Sequence, residues 1–233
     1  MPSSLILRFL ILAAASLAAG GCSLGYYAQS ITGHVEILLK QRPVTSVIAG
    51  EDTEPALREK LAEVEQILAF AHREIGLPDN GSYRRYADLD RKYVVWNIFA
   101  APELAIPPRK WCYLVVGCVN YRGYFDQADA LRYARDLEQA GWDVNVSGVT
   151  AYSTLGWFRD PLMNTMLNRP TWEIARLIFH ELAHQKLYFE NHTTFNEAFA
   201  DAVAMIALDK WLETRPAALR ASIRRMLARE DAF

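Results

Sequence analysis

The stretch "FHELAHQKLYFENHTTFNEAFAD", Phe179 to Asp201, holds three of the five histidines of the chain. His180 and His184 are four residues apart. On a helix that spacing is about 40° of rotation and one turn of rise, so both rings leave the same face. Two imidazoles so placed can share one metal ion, with Glu181 beside them as a general base. This is the H-E-x-x-H pattern of zinc hydrolases. A catalytic zinc needs a third protein ligand and an open position for water. Glu197 is thirteen residues after His184, and an antiparallel second helix would return it to the metal. Asp201 is one turn further on, placed to accept the free N–H of a ligand histidine. The expected cofactor is one Zn²⁺ per chain, held by His180, His184 and Glu197. A rival reading takes Thr194-x-x-Glu197 as a capping box, with Glu197 turned to the backbone. The long pattern that wants Gly and His three and six residues after the second histidine does not fit, because Leu187 and Glu190 stand there. His192 is out of register and reads as a turn residue.

The elements that would position these groups come next. "WEIARLIFHELAHQKLYF" places Ile174, Leu177, Ile178, Leu182 and Leu187 around an otherwise apolar helix. Histidines and a glutamate in such a helix are costly to bury without partners, and a metal supplies them. From Thr171 onward the chain reads as helices over about 171–190, 194–213 and 216–229. Upstream, "EDTEPALREKLAEVEQILAFAHREIGLP" is a helix ended by Gly76 and Pro78. "YVVWNIFAAPE" and "WCYLVVGCVNY" are strands, with Gly117 giving a turn or bulge in the second. "DQADALRYARDLEQAGW" is a helix closed by Gly141, and "DVNVSGVTAYSTLGWF" is strand and loop. The order suggests an α+β fold, with a small, mainly antiparallel sheet between helical N- and C-terminal parts.

The 233 residues bound one domain with room for a core. Lys and Arg total 25 and Asp and Glu total 27, interspersed, so no basic excess points to nucleic acid. The first residues, "MPSSLILRFLILAAASLAAGGC", run from Arg8 through an apolar stretch to small residues before Cys22, the layout of a secretory signal. "AAGGC" resembles a bacterial lipoprotein cleavage box. The resemblance implies a signal peptide over 1–21, a mature domain over 22–233, and lipidation of Cys22. The membrane would then be reached through that N-terminal lipid, at the periplasmic face of the outer membrane in the bacterial cell envelope. Export also favours a disulfide between Cys112 and Cys118, with two buried thiols as the alternative.

"HELAH" followed by "NEAFAD" resembles the gluzincin arrangement of thermolysin-like enzymes. With "GCSLGYY", "GCVNYRGYFD" and "AYSTLGWFRDP", the chain resembles a bacterial family of predicted zinc aminopeptidases that are lipoproteins. The resemblance implies a zincin-like domain, a peptide substrate, His180, His184 and Glu197 as zinc ligands, and Glu181 as the catalytic glutamate. In such a site, zinc lowers the pKa of its bound water and polarises the scissile carbonyl, while Glu181 shuttles the proton. Tyr152, Tyr121 and Tyr124 are candidate donors to the oxyanion, Tyr152 first among them. An aminopeptidase also needs an acidic group for the substrate's α-amino group, and Glu173, Asp160 and Glu190 are candidates. The competing class is a non-catalytic zincin-fold lipoprotein serving as a binding or assembly factor. Glu181 argues against it, because a structural zinc does not need that residue.

Overall fold

The computed structural model describes residues 25–105, 107–113, 117–151, 159–190 and 192–230. Cys22, the 1–21 segment and Tyr152 lie outside them. In chain order the elements are helix α1 (25–39), strand β1 (Gln41–Pro43), helices α2 (Val44–Ile48) and α3 (Pro55–Phe70), and a π-helical turn at Ala71–Ile75. Strands β2 (Arg85–Ala87), β3 (Val95–Pro102), β4 (Trp111–Tyr113), β5 (Gly117–Val119) and β6 (Arg122–Tyr124) follow. Then come α4 (Gln127–Gln139), β7 (Trp142–Val149), β8 (Leu162–Met163), α5 (Asn164–Leu167), α6 (Thr171–Lys186), α7 (Thr193–Glu213) and α8 (Ala217–Glu230). Helices and small sheets are thus mixed. The described residues form two compact units: 25–39 with Tyr93–Thr150, and Lys40–Lys92 with those from Ala151 onward. Each has its own apolar core, because the chain leaves the first unit after α1 and re-enters it at Tyr93.

The first unit is built on the antiparallel sheet β6-β3-β7. Helix α4 starts at Asp126, whose carboxylate accepts the Asp129 N–H at 2.9 Å. Its residues Ala130, Ala134 and Leu137 recur at i, i+4 and i+7 and are buried. They join Ile98, Ala100, Trp111 and Tyr124 in one core. Helix α1 lies close on this unit at Gly33, where a Cβ would run into the Phe125 ring. The segment "CYLVVGC" does not run as one strand. It is split into β4 and β5, an antiparallel pair with Cys112 opposite Cys118, and the two sulfurs are bonded. Gly117 takes φ +70°, which a glycine tolerates without steric penalty.

In the second unit, β1 pairs antiparallel to β2, and β2 pairs parallel to β8. Helix α3 turns Leu61, Val64, Ile67 and Leu68 inward, and its π-helical continuation ends at Gly76 in the left-handed region. Helix α6 contributes Ile174, Ile178, Phe179 and Leu182, all with at most 1% of their surface exposed. Helix α7 meets it with Ala200, Ala204, Ala207 and Leu208, also buried. Small side chains at 200, 204 and 207 let the two backbones approach. Lys60 on α3 fixes the start of α6 by donating to the Arg169 carbonyl (3.3 Å) and to Thr171 Oγ1 (3.1 Å). Thr171 in turn donates to Glu63 at 2.6 Å.

Candidate metal centre

Helices α6 and α7 run antiparallel, so His180 meets Asp201 and His184 meets Glu197. The bend between them depends on a side chain that sequence reasoning missed. Asn196, 1% exposed, accepts the Phe189 N–H at 2.9 Å and donates to the Phe189 carbonyl at 2.7 Å. That clasp takes Phe189 out of the helix. Helix α6 therefore ends at Lys186 with Leu187 extended, four residues before the end expected from sequence. Helix α7 starts at Thr193 with His192 in the cap position and no side-chain cap bond. Thr194 is not a cap, and the capping-box reading does not describe this helix start.

Glu197 instead faces the histidines. Its Oε2 is 3.3 Å from His180 Nε2 and its Oε1 is 3.7 Å from His184 Nε2. The two Nε2 atoms are 3.1 Å apart. Tetrahedral zinc with bonds of about 2.0–2.2 Å sets its ligand atoms roughly 3.3 Å from one another. The three donor groups, all within 4.8 Å of one another, fit a metal ion on that measure. The outer contact agrees with it. His180 Nδ1 is 3.0 Å from Asp201 Oδ1. A carboxylate only accepts, so the proton of a neutral His180 sits on Nδ1 and the Nε2 lone pair points at the centre.

His184 is the buried member, with 6% of its side chain exposed, and its Nδ1 has no hydrogen-bond partner among the described residues. Burial pushes its pKa below the ordinary imidazole value, and His180 adds to this, while Glu197 and Asp201 oppose it. A depressed pKa keeps His184 neutral, the form that ligates metals. Glu197, by contrast, is more than half exposed, which leaves the solvent side of the centre open.

A cleft of about 400 Å³ runs along α6 from this centre, lined by Trp172, Glu173, Arg176, Leu177, His180 and Glu181. Of the acidic candidates, Glu173 lines the cleft. Asp160 is buried at 1% exposure and accepts from Gln185, and Glu190 lies on the surface. Tyr121 and Tyr124 belong to the first unit. Tyr121 packs on Phe99 at 6.0 Å between ring centres, and the Tyr124 hydroxyl accepts from Arg122 at 2.9 Å. Sequence reasoning also passed over Tyr83. It is 2% exposed and takes φ +63°. A bulky residue in that region is a true outlier costing on the order of 1–3 kcal/mol, and such strain gathers at functional sites. The Asn-Gly pair at 80–81 signals a turn there but not which side chain it buries.

Among the described residues no helix is long and apolar enough to cross a membrane. Comparison with curated proteins and with solved structures gave no match. A family model described as "Putative aminopeptidase" matches residues 25–233, nearly the whole chain, and the chain belongs to that family.

Proposed function

We propose that the protein is a zinc-dependent aminopeptidase of zincin-like α+β fold, tethered to the bacterial envelope through a lipid on Cys22. The observation that carries the reading is the convergence of His180 Nε2, His184 Nε2 and the Glu197 carboxylate, separated by 3.1–3.7 Å, with Glu181 on the same helix. The family description supports a peptidase. "AAGGC" at the end of a signal-like segment supports the anchor.

His180, His184 and Glu197 would hold the zinc, which when bound supplies Lewis acidity that acidifies water and polarises a carbonyl. The rest falls to side chains. Glu181 takes a proton from the attacking water and returns it to the leaving amine, a task that needs a carboxylate beside the centre and not among its ligands. Asp201 holds the His180 ring in one tautomer and one orientation. Glu173, two helical turns from His180 along the cleft, offers a negative charge for a substrate ammonium group. Tyr152 is the proposed donor to the charge that develops on the carbonyl oxygen.

A peptide-library digest by the purified chain, with its metal content measured on the same sample, tests the reading. Release of single N-terminal residues, stopped by a chelator and absent in Glu181→Gln, is the expected result. Full zinc occupancy without hydrolysis would leave a metal-binding lipoprotein and refute the enzyme.

A further inference from the structure

We infer that Tyr83 is a positioning residue for Glu181, held against the α6 face that carries this base by a latch between Gln185 and the segment Asn80–Tyr83. The inference rests on the peptidase reading for what it does, but not for where the residue sits. Glu181 and Gln185 are one turn apart, so they occupy one strip of α6. The Gln185 amide is fastened at both ends. Its Oε1 accepts from Asn80 Nδ2 at 2.8 Å, and its Nε2 donates to Ser82 Oγ at 3.4 Å and to Asp160 Oδ2 at 3.3 Å. The segment is pinned onto itself as well. Asn80 Oδ1 accepts the Ser82 N–H (3.1 Å), Ser82 Oγ accepts the Asp160 N–H (3.2 Å), and Tyr83 N–H donates to the Asp160 carbonyl (2.6 Å).

This machinery holds a tyrosine where the backbone is least willing to take one. At φ +63° a glycine or asparagine would cost less, and the turn itself requires no ring. Ser82, Tyr83 and Asp160 are all at most 3% exposed, so the phenol is enclosed, and the segment that carries it is tied to Gln185 on α6. One turn of helix, about 5–6 Å, separates Gln185 from Glu181, a span that a tyrosine side chain covers. The electrostatics agree. Burial first, then the charges of Glu181 and Asp160, hold the Tyr83 pKa well above its ordinary value. The phenol stays protonated and is therefore available to donate to a carboxylate without competing for its proton.

Tyr83→Phe removes only the hydroxyl. The expected result is a roughly 10- to 100-fold fall in kcat, as for a slightly misplaced catalytic group, with KM and zinc content unchanged. A second readout does not use activity. With tyrosine labelled at Cζ, the NMR signal lost in Tyr83→Phe should shift in Glu181→Gln, in the metal-free protein as in the loaded one. Gln185→Ala keeps the phenol and opens the latch, so the same signal should move and kcat should fall at constant KM. Wild-type kcat in Tyr83→Phe, or a Tyr83 signal indifferent to Glu181→Gln, overturns the inference. If the wild type cleaves no peptide, the peptidase reading fails alone, and the labelled signal still decides whether Tyr83 faces Glu181.

Discussion

Two polar clusters, one in each unit, use similar residue types to opposite ends. In the first unit, Arg122 lies over the Tyr26 ring at 3.9 Å and the Tyr133 ring at 4.7 Å, and donates to the Tyr124 hydroxyl at 2.9 Å. Cation, π-faces and phenol answer one another, so this cluster is complete without a ligand. In the second unit, two imidazole nitrogens and a carboxylate approach within 3.1–3.7 Å. Once Asp201 fixes the His180 proton on Nδ1, the His180 Nε2 and the Glu197 carboxylate face each other as acceptors, an arrangement that a cation would balance. A cluster of aromatic and charged residues is therefore not in itself a site. A site shows as chemistry left incomplete, and by that test His180, His184 and Glu197 stand out.

The contrast can be broken most severely at Glu181. Glu181→Gln should abolish peptide hydrolysis, by at least the roughly 10²–10⁴-fold attributed to general-base catalysis, while zinc content and thermal unfolding stay at wild-type values. Residual wild-type turnover would remove Glu181 from the mechanism. Next come the acidic partners on α7. Asp201→Asn should weaken zinc binding by about 10–100-fold, as loss of an outer partner does, and Glu197→Ala should weaken it more. Competition with a zinc chelator ranks the two, and the reverse order would exchange their roles.

Asn196→Ala should destabilise the fold by about 1–3 kcal/mol, because it removes both side-chain hydrogen bonds to the Phe189 backbone. It should also lower zinc affinity, because the clasp sets the start of α7 and so the register of Glu197. Denaturant melts and the same chelator assay test both halves. In the first unit, Arg122→Met should cost about 2 kcal/mol of stability at most and leave zinc content unchanged, since that cluster holds only itself together.

The smallest effect concerns pH. Burial, then Asp88, pushes the Tyr86 pKa up to about 12 from 10. The unfolded phenol therefore loses its proton near pH 10 while the folded one keeps it. Tyr86 supports the fold fully below pH 10 and stops doing so as pH rises from 10 to about 12. Tyr86→Phe should flatten the alkaline loss of stability in that window, and a wild-type slope in the variant would show that another group carries it.

Much of the centre could be read from spacing alone. His180 and His184, and Glu197 and Asp201, are two i, i+4 pairs, and a helical period is a local property that sequence displays. The end of α6 was not legible, because no glycine or proline marks it. Asn196 ends the helix by capturing the Phe189 backbone, a contact that forms only once α7 has folded back. Tyr83 was hidden for a similar reason, since its strained turn is set by hydrogen bonds to the Asp160 carbonyl and from the Gln185 amide across long stretches of chain. In the run "CYLVVGC", Gly117 signals a turn or bulge, but the β-branched valines favour extended backbone and do not tell a bulged strand from an antiparallel pair. The division into two units was illegible too, because the linking residues after Leu39 and before Tyr93 show no change in composition.

Metal analysis of the purified wild-type chain beside Glu197→Ala tests the central claim most directly. The account predicts about one zinc per wild-type chain, removable by chelator, and a marked loss in the variant. A well-folded wild type that takes up no zinc when zinc is supplied would contradict it.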